Sequence, residues 1–471
     1  MQITPQEIAD RAAASFNVLC ETYMTTGVSV DFDFRLHCAP WARRSDSYTH
    51  RLHRYPGRLT PYLPLFFLSV PQLARRTGVL VDPFAGCGTV LVEAPIHPVH
   101  PMNALGLEIN PLARVIAKTK TTAVSPRSVR AGWGHFRKRY EADQTSVGLS
   151  NFPNKHIWFS PQVEKNLGRI VRALEGVQDP DLFDFFLTAV SSVVRRVALA
   201  DPGVSVPVRL NPDRFTAEPQ RLRVAADLTA RSNADVYNLL REAVERNLAR
   251  VQQWSDARAT TMCTAEIAGN DARTFALRSY MRGGGTADAV RGQVENADLI
   301  LTSPPYVNAQ RYTRSLRLEL FTLGITSVAT DEAALDRLQV GTERVPATEW
   351  LIEGVPSTSP TADQTIAVIR SVDPYRAAIL ARYVHDMKRV MDNSWASLKP
   401  GGHAVFVVGN NTVRGTTVQN DQIIAELASA VGFAEVVRVR NRIPSRGLMT
   451  KRHPTAGVIT HEQIVVLAKP A

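Results

Sequence analysis

The run LILTSPPY, residues 299–306, ends an apolar stretch with a hydroxyl, two prolines and an aromatic ring. That combination suits the gripping of a planar amino group. The Ser303 hydroxyl and the Pro304 carbonyl are two acceptors for its hydrogens, and the fixed φ angles of Pro304 and Pro305 hold the carbonyl outward at little entropic cost. Tyr306 adds a ring face for stacking. An amino nitrogen conjugated to a heteroaromatic ring is a poor nucleophile because its lone pair is delocalised, and two fixed acceptors localise that pair towards an electrophile.

A second constellation lies upstream. In DPFAGCGT, residues 82–89, Gly86 and Gly88 let the backbone approach a ligand at the end of a strand, where open α/β sheets bind nucleotides. Glu108 follows Asp82 by 26 residues at the end of the next strand, a suitable place for a carboxylate that accepts two ribose hydroxyls. Asp271, in GNDART, follows a third strand.

The elements that position these residues read as strands alternating with helices. The expected strands are 79–81, 104–107, about 264–268, 299–302 and 403–408, with 434–440 and 463–468 as a closing antiparallel hairpin. An α/β sheet of seven strands with helices on both faces follows. Thr4, Pro5 and Glu7 mark the start of a helix running to about residue 24. About 140 residues, 121–262, separate the second strand from the third, far beyond an ordinary connection, so they are expected to be a helical insertion. Its helices show as apolar stripes, Val163, Leu167, Ile170, Val171 and Leu174, then Leu240, Val244, Leu248 and Val251, which are core packing. The resulting organisation is an N-terminal helical segment at 1–50, a first core part at 51–120, the insertion at 121–262, and a second core part at 263–471 with a further insertion at about 307–391.

The 471 residues, 44% of them hydrophobic, suffice for a large core. No apolar run approaches the roughly 20 residues of a membrane span, and the N-terminus lacks a signal peptide's charged start and apolar centre, so a cytoplasmic protein is expected. Cys20, Cys38, Cys87 and Cys263 have no ligand or disulfide spacing, and no metal is expected. A net charge of +11 suits a polyanionic partner.

The phrase DPFAGCGT resembles motif I of the S-adenosylmethionine-dependent amino-methyltransferases in its DPFxGxGT form, and TSPPY resembles their motif IV. These enzymes methylate the exocyclic nitrogen of cytosine or adenine in nucleic acid. The resemblance implies a class I, Rossmann-like methyltransferase fold and S-adenosylmethionine as cofactor, with Asp82, Phe84, Gly86 and Gly88 around its methionine end. Glu108 would take the ribose, and Asp271 stands where the family reads the adenine amino group. A solvated strand end explains any one of these acids alone, but three in this order favour the cofactor site. HRYPGRLTPYLP, from His53, resembles motif X, which implies that Arg54, Tyr55, Pro56 and Arg58 close over the methionine carboxylate.

The expected substrate is double-stranded DNA, with the target base flipped out of the helix. The serine form of motif IV leans towards cytosine N4, with adenine N6 as the alternative. Cytosine C5 chemistry is disfavoured because none of the four cysteines follows a proline. An RNA amino-methyltransferase is a further alternative, although those enzymes usually carry an RNA-capturing N-terminal domain and an aspartate before the double proline. A catalytically silent DNA-binding subunit is the reading from a different class. The resemblance also suggests a restriction-modification or defence role, with a cognate nuclease or defence-system subunit as partner.

Two regions are candidates for contacting DNA. The first insertion carries 20 Lys and Arg against 15 Asp and Glu, a small excess that a solvated helical surface also explains. Residues 438–453 carry six Arg or Lys and no acid: Arg438, Arg440, Arg442, Arg446, Lys451 and Arg452. Period-two spacing puts Arg438, Arg440 and Arg442 on one face of a strand, as a basic rail for phosphates or as an edge strand blunted by charge.

Overall fold

The computed structural model describes residues 3–40, 47–145, 147–277, 296–307, 312–326, 329–346, 348, 357–443 and 459–471. Its strands are β1 (Val30–Asp31), β2 (Val79–Asp82), β3 (Asn103–Leu107), β4 (Ala265–Gly269), β5 (Ala297–Thr302), β6 (Leu398–Val408), β7 (Asn411–Val413), β8 (Thr416–Val418), β9 (Ala434–Arg442) and β10 (His461–Ala468). Eight of them form one sheet in the order β1-β9-β10-β6-β5-β2-β3-β4, and β7 and β8 form a separate hairpin. The expected count of seven is corrected to eight. The extra strand is the two-residue β1, which pairs in parallel with β9 through Val30 and Asp31 opposite Val439 and Arg440. Two residues carry no detectable periodicity, so sequence pattern could not reveal it.

All neighbours from β6 to β4 pair in parallel, and β10 alone runs against its two neighbours. Parallel strands must be covered on both faces, and alternate side chains do so here. Val79, Val81, Ile300, Ala404, Phe406 and Val465 point into one core, with helices Pro374–Ser397 and Asn420–Val431. Leu80, Leu299, Leu301, Val405, Val407 and Val466 point into the opposite core, with helices Pro5–Thr26 and Tyr62–Ser69. The first helix starts at the expected capping box, in which the Glu7 N–H donates to Thr4 Oγ1 and the Thr4 N–H donates to the Glu7 carboxylate at 2.8 Å.

Between β3 and β4 the chain builds most of a third core, to which Leu52, Cys87, Leu316, Leu318, Leu320 and Phe321 also contribute. Helices Pro126–Ala142, Pro161–Leu174, Pro180–Val197 and Val236–Ala259 pack around Val163, Leu167, Ile170, Leu174, Leu240, Val244 and Val251, with Val171 and Leu248 at its margin. Between β5 and β6 lie helices Tyr312–Ser315, Arg317–Thr322, Ala329–Leu338 and Pro360–Arg370. Helix Pro374–Ser397 completes that connection and covers the sheet directly. No described helix is long and apolar enough to cross a membrane.

Candidate active site at the strand ends

The sheet order brings β5, β2, β3 and β4 side by side. Their C-terminal ends therefore deliver Ser303, Asp82, Glu108 and Asp271 to one edge, in that spatial sequence. Between strand ends and loops lies a cleft of about 650 Å3, partly open to solvent, walled by Tyr55, Phe84, Gly86, Glu108, Asp271, Ser303 and Pro305 among others.

The turn after β2 is shaped by two left-handed residues, Gly86 at φ +52° and Gly88 at φ +81°. It returns its backbone to the acids. The Gly86 N–H donates to Glu108 Oε2 at 2.9 Å, and the Asn110 N–H donates to Glu108 Oε1 at 2.7 Å, so both carboxylate oxygens are held in the cleft wall. Burial pushes the Glu108 carboxyl up to about 7, against the lowering effect of these backbone donors. Asp82 is buried, and Thr302 Oγ1 and the Phe84 N–H donate to its Oδ1 at 2.6 and 3.1 Å. Burial also pushes its carboxyl up to about 7, and these two hydrogen bonds oppose that shift. Asp271 behaves differently. Burial alone would raise its carboxyl, but Arg273 outweighs that and holds it below the usual range, donating from its N–H and Nε to Oδ1 and from Nη2 to Oδ2.

Ser303 lines the cleft and its hydroxyl donates to the Val407 carbonyl on β6 at 2.9 Å. Because a hydroxyl has one proton and two lone pairs, this commitment leaves the oxygen an acceptor towards other groups. Pro305 lines the cleft, whereas Pro304 is buried. Tyr306 is absent from the cleft wall and its ring lies on the backbone of Gly409, where a Cβ would come within 2.9 Å of it.

Of the four residues expected from 54–58, Tyr55 lines the cleft. Arg54 is exposed and Pro56 is buried. Arg58 Nη1 donates to the His50 carbonyl at 2.8 Å, and none of the three reaches the cleft wall. Cleft residues not anticipated from sequence include Asn110, Tyr312, Gln339 and Val340. Tyr312 lies nearly parallel to Tyr55, with ring centroids 6.5 Å apart. Asn110 caps helix Pro111–Thr121 through its side-chain oxygen, and its buried Nδ2 has no hydrogen-bond partner among the described residues. The Asn-Pro pair after a strand is a helix-start signal that could have located Asn110. No comparable signal marks Tyr312 or Gln339, which come from the connection between β5 and β6.

The basic residues lie on β9, which two antiparallel steps make parallel in sense to β6, so Arg442 ends at the same sheet edge as the cleft. Arg438 is paired with Glu435 at 2.6 Å, and Arg440 with Asp31 at 2.5 Å. Arg442 is exposed and makes no ion pair with a described residue. Arg446, Lys451 and Arg452 fall outside the described residues.

A mostly parallel sheet flanked by helices, with a glycine turn and three acids at adjacent strand ends, fits a Rossmann-like methyltransferase. The chain is 24% identical over 434 residues to the Type II methyltransferase M.MvaI of Kocuria varians, a match spanning 88% of each chain. No family model matches the sequence.

Proposed function

We propose that this chain is an S-adenosylmethionine-dependent DNA methyltransferase that acts on the exocyclic amino nitrogen of a flipped base, with cytosine N4 as the target. The likeness to a Type II methyltransferase supports methyl transfer as the chemistry. The observation that carries the amino target is Ser303, whose proton is spent on the Val407 carbonyl within the same cleft as Glu108 and Asp271.

The cleft suits a nucleoside cofactor. Glu108 presents a carboxylate already oriented by two backbone donors, and the buried Nδ2 of Asn110 is a donor with no acceptor among the described residues. Asp82, Phe84, Gly86 and Gly88 would hold the methionine end, Glu108 the ribose and Asp271 the adenine. When bound, the cofactor supplies a methyl group on a positively charged sulfur.

Ser303 accepts one amino hydrogen of the base and the Pro304 carbonyl accepts the other, which turns the nitrogen lone pair towards the methyl group. Serine is too weak a base at neutral pH to take the proton, so the proton leaves to solvent. Arg442, at the cleft edge of β9, is a phosphate contact in this reading, and a cognate nuclease or defence-system subunit is its partner in the cell.

Incubation of DNA and RNA with radiolabelled cofactor, followed by mass spectrometry of nucleosides, tests the reading. N4-methylcytosine in DNA is expected. N6-methyladenine as the sole product would replace the base, label in RNA alone would replace the substrate, and calorimetry without any cofactor binding would favour a silent DNA-binding subunit.

A further inference from the structure

Arg273 is buried, and its side chain joins three segments that are remote in sequence. Nε and Nη2 grip the two oxygens of Asp271 at 2.9 and 2.8 Å, in the bidentate geometry that a guanidinium makes with a carboxylate. Nη1 donates to Asp386 Oδ2 at 3.2 Å on helix Pro374–Ser397. Nη2 also donates to the Leu338 carbonyl at 2.7 Å. One nitrogen is thus shared between the acid that closes one end of the cleft and the backbone just before Gln339 and Val340, which form its wall.

The 338–341 turn continues to the amino-gripping segment. A Cβ placed on Gly341 would lie 3.5 Å from the Tyr306 carbonyl oxygen and 3.8 Å from Pro305 Cβ, so the turn lies against the Pro305–Tyr306 segment. On its other side, Gln339 Nε2 donates to Thr313 Oγ1, next to the cleft residue Tyr312. Asp271 and Pro305 follow different strands, β4 and β5, and a single guanidinium plus one turn connects them.

We infer that Arg273 is a positioning residue that couples cofactor binding to DNA binding, by holding Asp271 and the 338–341 turn in one arrangement. This rests on the proposed function, in which Asp271 receives the adenine amino group and Ser303, two residues before Pro305, receives the target amino group. Nη2 carries two hydrogens, one on Asp271 Oδ2 and one on the Leu338 carbonyl, so any shift of the carboxylate as it takes the adenine amino group moves the same guanidinium that fixes the turn. Lysine cannot reproduce this, because a point ammonium lacks the planar fork.

The test measures the affinity of the full chain for fragmented, unmethylated plasmid DNA, alone and saturated with S-adenosylhomocysteine, which keeps the adenine amino group but has no methyl to transfer. Saturation is expected to tighten DNA binding about tenfold, within the usual range of coupling between sites. Saturation with the deaminated analogue S-inosylhomocysteine is expected to leave DNA affinity within about twofold of the ligand-free value, as is S-adenosylhomocysteine with R273K. Full coupling with the deaminated analogue or in R273K overturns the inference, as does a wild-type protein that binds both ligands independently. If R273K fails to fold, the deaminated analogue on the wild-type chain decides. A wild-type chain that binds no S-adenosylhomocysteine overturns the proposed function itself and this inference with it.

Discussion

Thr302 Oγ1 donates a 2.6 Å hydrogen bond to Asp82 Oδ1 and also accepts the Phe84 N–H at 3.2 Å, so one hydroxyl locks the end of β5 to the glycine turn after β2. Both side chains are buried. Thr302→Val keeps the shape and removes the donor, which leaves a buried carboxylate short of a partner. A loss of about 1–3 kcal/mol in chemical denaturation is expected. The hydroxyl also lowers the Asp82 carboxyl against its burial, so its removal should move any pH dependence of cofactor binding to higher pH.

Ionisation of Asp82 and Glu108 is expected to give opposite pH trends for folding and cofactor binding. Burial raises Asp82 and Glu108 to about 7, from ordinary values of 3.8 and 4.5. Between about pH 4 and pH 7 the folded chain holds protons that the unfolded chain has released, so stability of the ligand-free protein falls as pH rises through that window. Cofactor binding should strengthen over the same interval, because a ribose is best accepted by the ionised Glu108. Below about pH 7 the dissociation constant is expected to rise about tenfold per pH unit for each ionisation required. Titration calorimetry checks this, and Glu108→Gln should bind weakly with a flattened profile; an unchanged profile in that variant would remove Glu108 from the cofactor site.

Removal of the Ser303 hydroxyl separates binding from chemistry. Ser303→Ala should lower the methylation rate on the order of a hundredfold. Affinity for S-adenosylhomocysteine should stay within about twofold, because the proposed function puts the serine on the target and not on the cofactor. Full activity in single-turnover measurements would refute its role as an acceptor.

Gly88 should tolerate no side chain. Its φ is +81°, and a Cβ there would lie 3.0 Å from Ala117 Cβ on helix Pro111–Thr121. Gly88→Ala combines backbone strain with a steric push on that helix, and a destabilisation of about 1–3 kcal/mol is expected by thermal or denaturant unfolding. An unshifted transition would show that the turn relaxes freely.

The arginines of β9 should contribute unequally to DNA binding. Arg440 already pairs with Asp31, whereas Arg442 has no described ion-pair partner. Arg442→Ala is expected to reduce the slope of log affinity against log salt by about 1, and Arg440→Ala by much less. Equal changes from the two variants would mean that the Asp31 pair opens on binding.

The local signals in this chain survive folding because they depend on near neighbours. The glycine turn after Val81, the capping box at Thr4 and Glu7, and the apolar stripe from Val163 to Leu174 are each encoded within a single short helix, turn or strand. From them the α/β class follows, as does the placing of Asp82, Glu108, Asp271 and Ser303 at strand ends. What those residues meet depends on strand order and on segments remote in sequence. Only the sheet order puts β5, β2, β3 and β4 side by side and turns four separate motifs into one edge. The two-residue β1 brings Asp31 to Arg440 across 409 positions and takes that charge out of the expected basic rail. The connection between β5 and β6 brings Tyr312, Gln339 and Val340 into the cleft, and Arg273 ties it to Asp271, although these residues show no pattern of their own. Sequence periodicity reports which face a residue occupies, whereas the identity of its partner is set by packing between elements, and that is decided only when the whole sheet closes.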